Sequence, residues 1–216
     1  FRRVLFRSRT RAMSQEIARA NPPWLQHTLT HYDRRCSMNS QQTAPSQIPE
    51  AVTHQEELLT VDTNISKFLE GLLHPGIKAH PLFLDPQNGV WVLRVKFAPG
   101  ITLPLHFHTG TVHLYTMSGC WYYTEYPEQK QTAGCYLYEP GGSVHQFNTP
   151  ADNTEDTDTF MIVTGANVNF DAESGQYINM MDAGMIKSWV DEGIREQGAS
   201  EMRYIAARVA NFAGNK

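Results

Sequence analysis

Along residues 90–97 (VWVLRVKF), Trp91, Leu93, Val95 and Phe97 fall on one face at a period of two, which predicts a strand buried on that side. Pro99-Gly100 then turns the chain. Further short β-like runs follow at 102–108, 111–117, 120–126, 134–138, 143–148 and 159–165, separated by clusters of Gly, Pro, Asn and Asp. Many short strands at close spacing predict an all-β sandwich or barrel. The flanks have a different period. Asn64, as an N-cap, followed by Ile65, Phe68, Leu69 and Leu72 predicts a short amphipathic helix over one end of the barrel. Residues 182–197 (DAGMIKSWVDEGIREQ) place Met185, Ile186, Trp189, Val190 and Ile194 at helical spacing, weakened by Gly193. A second short helical piece is expected over 200–210. Residues 38–50 (MNSQQTAPSQIPE) are polar, hold two prolines and read as a linker. The expected organisation is a leader and linker over 1–50, an N-terminal helical extension over 51–79, the barrel over 80–170 and a C-terminal helical extension over 171–216.

Charge divides the chain unevenly. Residues 1–35 carry eight of the 18 Lys and Arg residues and two of the 22 Asp and Glu, so the remainder holds ten basic and twenty acidic residues. An acidic body argues against nucleic acid as the main partner. The arginine-rich opening, FRRVLFRSRTR, reads as a nucleic-acid arm, as an organellar transit peptide, or as translation upstream of a start at Met13 or Met38; the last is preferred. A hydrophobic content of 41% with 19% charged residues suits a globular domain with a core of its own. No run approaches the roughly 18 apolar residues of a spanning helix, so no membrane segment is expected. Three scattered cysteines, Cys36, Cys120 and Cys135, form no disulfide framework and no zinc-knuckle spacing, and a reducing cytoplasm is the expected compartment. Cys120 and Cys135 are expected to be buried small hydrophobes.

Two stretches carry chemistry. The first is Gly100-x5-His106-x-His108, which on a strand points both imidazoles to one side. The second is Gly134-x5-Pro140-x-Gly142-x2-His145-x2-Asn148, which sets a third histidine on another strand after a tight turn. Three imidazoles converging inside a barrel leave further coordination positions open, as a catalytic metal requires. A lone strand histidine is more often a hydrogen-bonded core or surface residue; the two motifs together, with Gly119 and Gly134 fifteen residues apart, favour the metal.

These segments resemble the paired motifs of the cupin superfamily, whose fold is a double-stranded β-helix or jelly roll. The wording HFHTGTVHLYTMSGCWYYTEYPEQKQTAGCYLYEPGGSVHQFN and the later TGANVNFD is similar to the 2,4'-dihydroxyacetophenone dioxygenase family, with the acetylacetone-cleaving dioxygenases more distant. The resemblance implies non-haem Fe(II) on His106, His108 and His145. It implies cleavage of a carbon–carbon bond in a small ketone with O2, to 4-hydroxybenzoate and formate for the type substrate. Many cupins place a ligating Glu after the second His with three or four residues between them, where this chain has Val112 and His113. Without it the metal keeps its full charge, which favours an anionic chelating substrate. His113 stands as a hydrogen-bonding neighbour of the ligands first, and otherwise as a fourth ligand or a core histidine. Glu139 lies where the acetylacetone-cleaving relatives also look acidic. It is expected either to orient a ligand or move a proton, or else to be a solvated turn residue. The many aromatics suit an aryl ketone or ordinary packing, with Phe147 the best single pocket candidate. A homo-oligomer, dimer or tetramer, is expected, with the helices as caps or subunit interface. A second reading is a zinc-binding cupin module of anti-sigma regulator type, without turnover. A cupin isomerase or carbohydrate binder would want basic residues near the site, and over 100–148 only Lys130 is basic.

Overall fold

The computed structural model describes residues 58–207, so the predicted leader and linker lie outside the described residues. The chain-order strands are β1 (Leu69–Glu70), β2 (Ile77–Asp85), β3 (Val90–Phe97), β4 (Leu105–His108), β5 (Val112–Ser118), β6 (Cys120–Tyr123) and β7 (Tyr126–Thr132). They continue with β8 (Tyr136–Glu139), β9 (Phe147–Asn148), β10 (Thr157–Thr164), β11 (Asn167–Phe170), β12 (Tyr177–Met181) and β13 (Ile205–Ala206), with one helix among the described residues, α1 (Ala183–Glu196), before the last. The expected jelly roll is present. One sheet runs β1-β2-β3-β10-β5-β8, with β13 added beside β2. Opposite it, the triplets β12-β11-β4 and β7-β6-β9 are joined by two isolated bridges, Thr102 to Asn148 and His106 to His145.

The core follows the predicted alternation. In β3 the four residues Trp91, Leu93, Val95 and Phe97 are buried while their neighbours are half-exposed. Trp121 and Phe147, from β6 and β9, stack at 4.8 Å between centroids, and Phe97 closes on Phe147 at 4.5 Å. Such fully buried aromatics each contribute a few kcal/mol, about 1.5–3 for a Phe-sized side chain, and hold the two sheets at a fixed separation.

The flanks are only partly helical. Asp182 caps α1 by accepting from the Met185 amide, and Ile186 and Val190 pack inward as their spacing predicts. The helix predicted from Asn64 is not formed. Asp62 Oδ1 accepts from both the Asn64 backbone N–H and its side-chain amide, making a turn, and Leu69 and Glu70 pair with Ala79 and Lys78 as strand β1. The Gln197 side chain completes that edge, accepting from Glu70 N and donating to Glu70 O as another peptide would. Two further expectations are corrected. Residues 177–181 are a strand, since Asp171 and Gly175 form a hairpin turn that returns the chain along β11. Residues 205–206 pair parallel with β2 instead of forming helix, and 208–210 lie outside the described residues. The sheets therefore extend beyond the predicted barrel limits of 80 and 170, running from Leu69 to Met181 and taking in β13 at 205–206 as well. Cys120 and Cys135 are half-buried, not sealed in the core. Among the described residues no helix is long and apolar enough to cross a membrane.

Candidate metal centre

Alternation in β4 buries His106 and His108 and leaves Leu105 and Phe107 half-exposed, with Phe107 stacked on Phe170 outside. His145 comes from the chain after the Pro140-Gly141-Gly142 turn. It pairs directly with His106 through two backbone hydrogen bonds of 2.9 Å. That turn lies close to the strand end: Gly142 N donates to His108 O at 2.8 Å, and a Cβ on Gly141 would stand 3.1 Å from Thr109 O. The glycines of the second motif thus let its loop lie against the first.

The ring centroids of His106, His108 and His145 lie 4.6–5.9 Å apart. One ring nitrogen from each falls within 4.8 Å of the others. His106 Nδ1 engages Pro104 O at 2.8 Å, which leaves its Nε2 for a ligand. The Nε2 atoms of His145 and His108 lie 3.3 and 3.5 Å from Glu139 Oε2. Burial, reinforced by the neighbouring imidazoles, holds His108 and His145 down to about 3, and burial alone lowers His106. At neutral pH these contacts to Glu139 are therefore not ion pairs, and the imidazoles are unprotonated, as ligands must be. His145 Nε2 and Glu139 Oε2 are buried without a hydrogen-bond partner among the described residues. Three convergent neutral imidazoles with a nearby unpaired carboxylate oxygen fit a divalent transition ion.

Glu139 is buried, and loss of hydration pushes it up to about 7, partly offset by the hydrogen bond from Tyr123. It is not a solvated turn residue. In register it stands opposite Val112, one of the two positions compared with the ligating glutamate of other cupins. The carboxylate thus reaches the cluster from the neighbouring strand. Tyr123 is buried, donates to Glu139 Oε1, and lies with its ring 4.3 Å from that of His145. Nothing in the motif spacing singles out Tyr123 from the other aromatics; its inward parity on β6 was the only available signal.

His113 is not part of the cluster. Val112 and Leu114 point inward on β5, so His113 faces out, where its Nδ1 meets Tyr136 Oη at 2.7 Å. Its expected places as a ligand, as a neighbour of the ligands or as a core histidine are all corrected by strand parity.

Beside the histidines lies a cavity of about 170 Å³ walled by apolar side chains such as Leu93, Val112, Met161 and Val163, with Phe147 also on its lining. Its polar lining comprises His106, His108, His74, Tyr123, Glu139 and three asparagines, Asn167, Asn169 and Asn179. The volume is below the roughly 300–1,000 Å³ of drug-sized sites, and suits a small ligand. Tyr115, Tyr126, Tyr136 and Tyr138 are exposed on the outside and do not line it.

A jelly roll with inward histidines on two facing motifs defines a cupin able to hold a metal. The family model described as the ChrR cupin-like domain matches residues 56–168. A protein of unknown function with a cupin-like fold from Ralstonia eutropha JMP134 is 62% identical, covering 76% of this chain and 100% of its own, with a TM-score of 0.72. The chain therefore belongs to the ChrR cupin-like domain family. Two more distant structures show the fold alone. An RmlC-like cupin from the same organism is 24% identical over 68% of this chain and 91% of its own (TM-score 0.59). An acetylacetone dioxygenase from Acinetobacter johnsonii is 17% identical over 63% and 93% (TM-score 0.53). No curated protein matches the chain.

Proposed function

We propose that this protein is a non-haem Fe(II) dioxygenase that cleaves a carbon–carbon bond of a small ketone of the 2,4'-dihydroxyacetophenone type. The observation that carries the reading is the open three-histidine cluster beside a small apolar cavity, with one carboxylate oxygen unpaired next to it. His106, His108 and His145 would hold the iron. Bound Fe(II) supplies Lewis acidity toward the ketone and reducing electrons toward O2. Glu139 Oε2, free of other partners, is placed to accept the substrate's acidic proton, while Tyr123 keeps Oε1 engaged and the carboxyl oriented. The apolar wall excludes water from the reacting centre and packs against an aryl group. One O2 is consumed per ketone, and each of its atoms ends in one product acid, 4-hydroxybenzoate or formate. The test is oxygen uptake by anaerobically iron-loaded protein given 2,4'-dihydroxyacetophenone, with acetylacetone and related ketones alongside. Stoichiometric uptake with formate release is expected; no uptake across the panel would sink the enzymatic reading.

The family match favours one second reading, a zinc-holding module without turnover. Glu139 would then close the site as fourth ligand, a role its position 3.3–3.5 Å from two ligand nitrogens permits. Zinc retained on purification, with no oxygen uptake after exchange for iron, would support that reading over the first.

A further inference from the structure

Two buried polar atoms on neighbouring strands lack partners, and they are complementary. β11 pairs with β4 so that Asn167 stands opposite His108 and Asn169 opposite His106. Directly opposed residues of an antiparallel pair carry their side chains on the same face, with Cβ atoms about 4.5–5.5 Å apart. Asn167 and His108 are each only 7% exposed. Yet Asn167 Oδ1 and His108 Nδ1 both lack a hydrogen-bond partner among the described residues. An orphaned buried acceptor or donor costs about 1–3 kcal/mol, so a pair of them on facing residues calls for a physical explanation.

The metal centre supplies one. His108 Nε2 lies on the side of Glu139 and His145, so Nδ1 is the nitrogen left over when Nε2 takes a metal. A metal-bound imidazole then carries its proton on that second nitrogen and nearly always donates it to an acceptor. His106 already has such a partner in Pro104 O. For His108 the facing acceptor is Asn167. Its amide is held from behind: Asn167 Nδ2 donates to Asn169 Oδ1 at 3.3 Å, and Asn169 Nδ2 donates to Asn179 Oδ1 at 2.7 Å. The nitrogen is engaged and the oxygen is free. Reversing all three amides would leave a donor facing the imidazole N–H, so the relay has one polarity compatible with a metal-bound His108.

We infer that Asn167 is a positioning residue for the metal centre, accepting the Nδ1–H of metal-bound His108 and fixing that ring for Nε2 ligation. The inference rests on the metal reading of the three histidines and not on the reaction proposed for them. It is tested with Zn(II), on the full chain, by chelator competition, with urea unfolding of the metal-free protein measured beside it. Asn167→Leu is expected to weaken Zn(II) binding by about 10- to 100-fold. Its metal-free stability should change little, because the substitution removes one buried unpaired acceptor but also takes the donor away from Asn169 Oδ1. Asn167→Asp, which keeps the acceptor, should bind at least as tightly as the wild type. In the zinc-loaded wild type the His108 Nδ1–H should give a slowly exchanging, downfield proton signal, a readout that needs no variant. Unchanged Zn(II) affinity in Asn167→Leu, or a solvent-exchanging Nδ1–H, overturns the inference while leaving the metal reading standing. Failure of the wild type to bind Zn(II) and Fe(II) overturns both.

Discussion

Tyr123 and Glu139 meet in a contact buried at both ends, and the state of each depends on the other. Loss of hydration raises both groups above their usual ranges, while the phenol's hydrogen bond favours the charged carboxylate. Removing that donor leaves the desolvation unopposed. Tyr123→Phe is therefore expected to push Glu139 further up, beyond about 7, so that it stays protonated at neutral pH. Carboxyl-carbon NMR titration of the metal-free protein measures this directly, with Glu139→Gln assigning the signal. A Glu139 midpoint unchanged or lower in Tyr123→Phe would show that the hydrogen bond does not stabilise the charge. His113 illustrates the same dependence on local geometry from the other side. One residue of strand parity separates it from the interior, and Val112 takes the inward position instead.

At the scale of elements, the site depends on turns that bring distant strands into register. Gly119 joins β5 to β6 with a φ of +78°, and a Cβ there would stand 2.7 Å from Thr157 Cα. Thr157 cannot retreat freely, because its hydroxyl donates to Cys120 O and accepts from Cys120 N. Gly119→Ala should therefore destabilise the protein by about 1–3 kcal/mol, from the left-handed backbone and the clash together. Urea unfolding gives the value, and a cost below a few tenths of a kcal/mol would contradict it. This distinction between local and long-range order also explains what could be read from the chain. His106 and His108 share a face through spacing alone, and β3 and α1 follow from strong periodicity within single segments. The stretch from Asn64 to Leu72 fits a helical period equally well, but pairing of Leu69 with Ala79 and the tie from Gln197 favour an edge strand. β7 (YPEQKQT) is polar and exposed along nearly its whole length, so it carries no alternation to read. Asn167 acquires meaning only from the register of β11 against β4, which no local pattern records.

Across the whole molecule, two equilibria bear on folding. The first is the binding of a divalent ion that the three-histidine cluster permits. An ion that binds the folded cluster and not the unfolded chain adds about 2.7 kcal/mol at one hundred times its Kd. For a domain of this size that is a rise in Tm of roughly 5–10 °C. Zn(II) should produce it in the wild type and not in His106→Ala, as followed by thermal denaturation. An equal rise in both would place the ion elsewhere. The second equilibrium is protonation of His80, a fully buried residue outside the metal centre. Its Nδ1 lies 3.0 Å from Pro81 O, and its Nε2 lies 2.9 Å from Ser66 Oγ. A neutral ring donates at the first and accepts at the second; a charged ring would lose the acceptor. Phe68 packs edge-on at 5.6 Å, and the Arg94 guanidinium, paired with Asp158, is the charged group facing His80 from β3. Burial, with Arg94 adding to it, lowers the His80 pKa below its usual 6.5. Between that lowered value and 6.5 the unfolded chain binds a proton that the folded protein does not. Stability is therefore fully present above pH 6.5 and falls as the pH drops through the window, by at most about 1.4 kcal/mol per pH unit for one group. His80→Gln removes the titration and retains polar atoms at the site. Measured by urea unfolding of the metal-free proteins between pH 7 and 5, the variant should lose less stability on acidification than the wild type. Parallel losses would show that His80 accepts a proton as readily folded as unfolded.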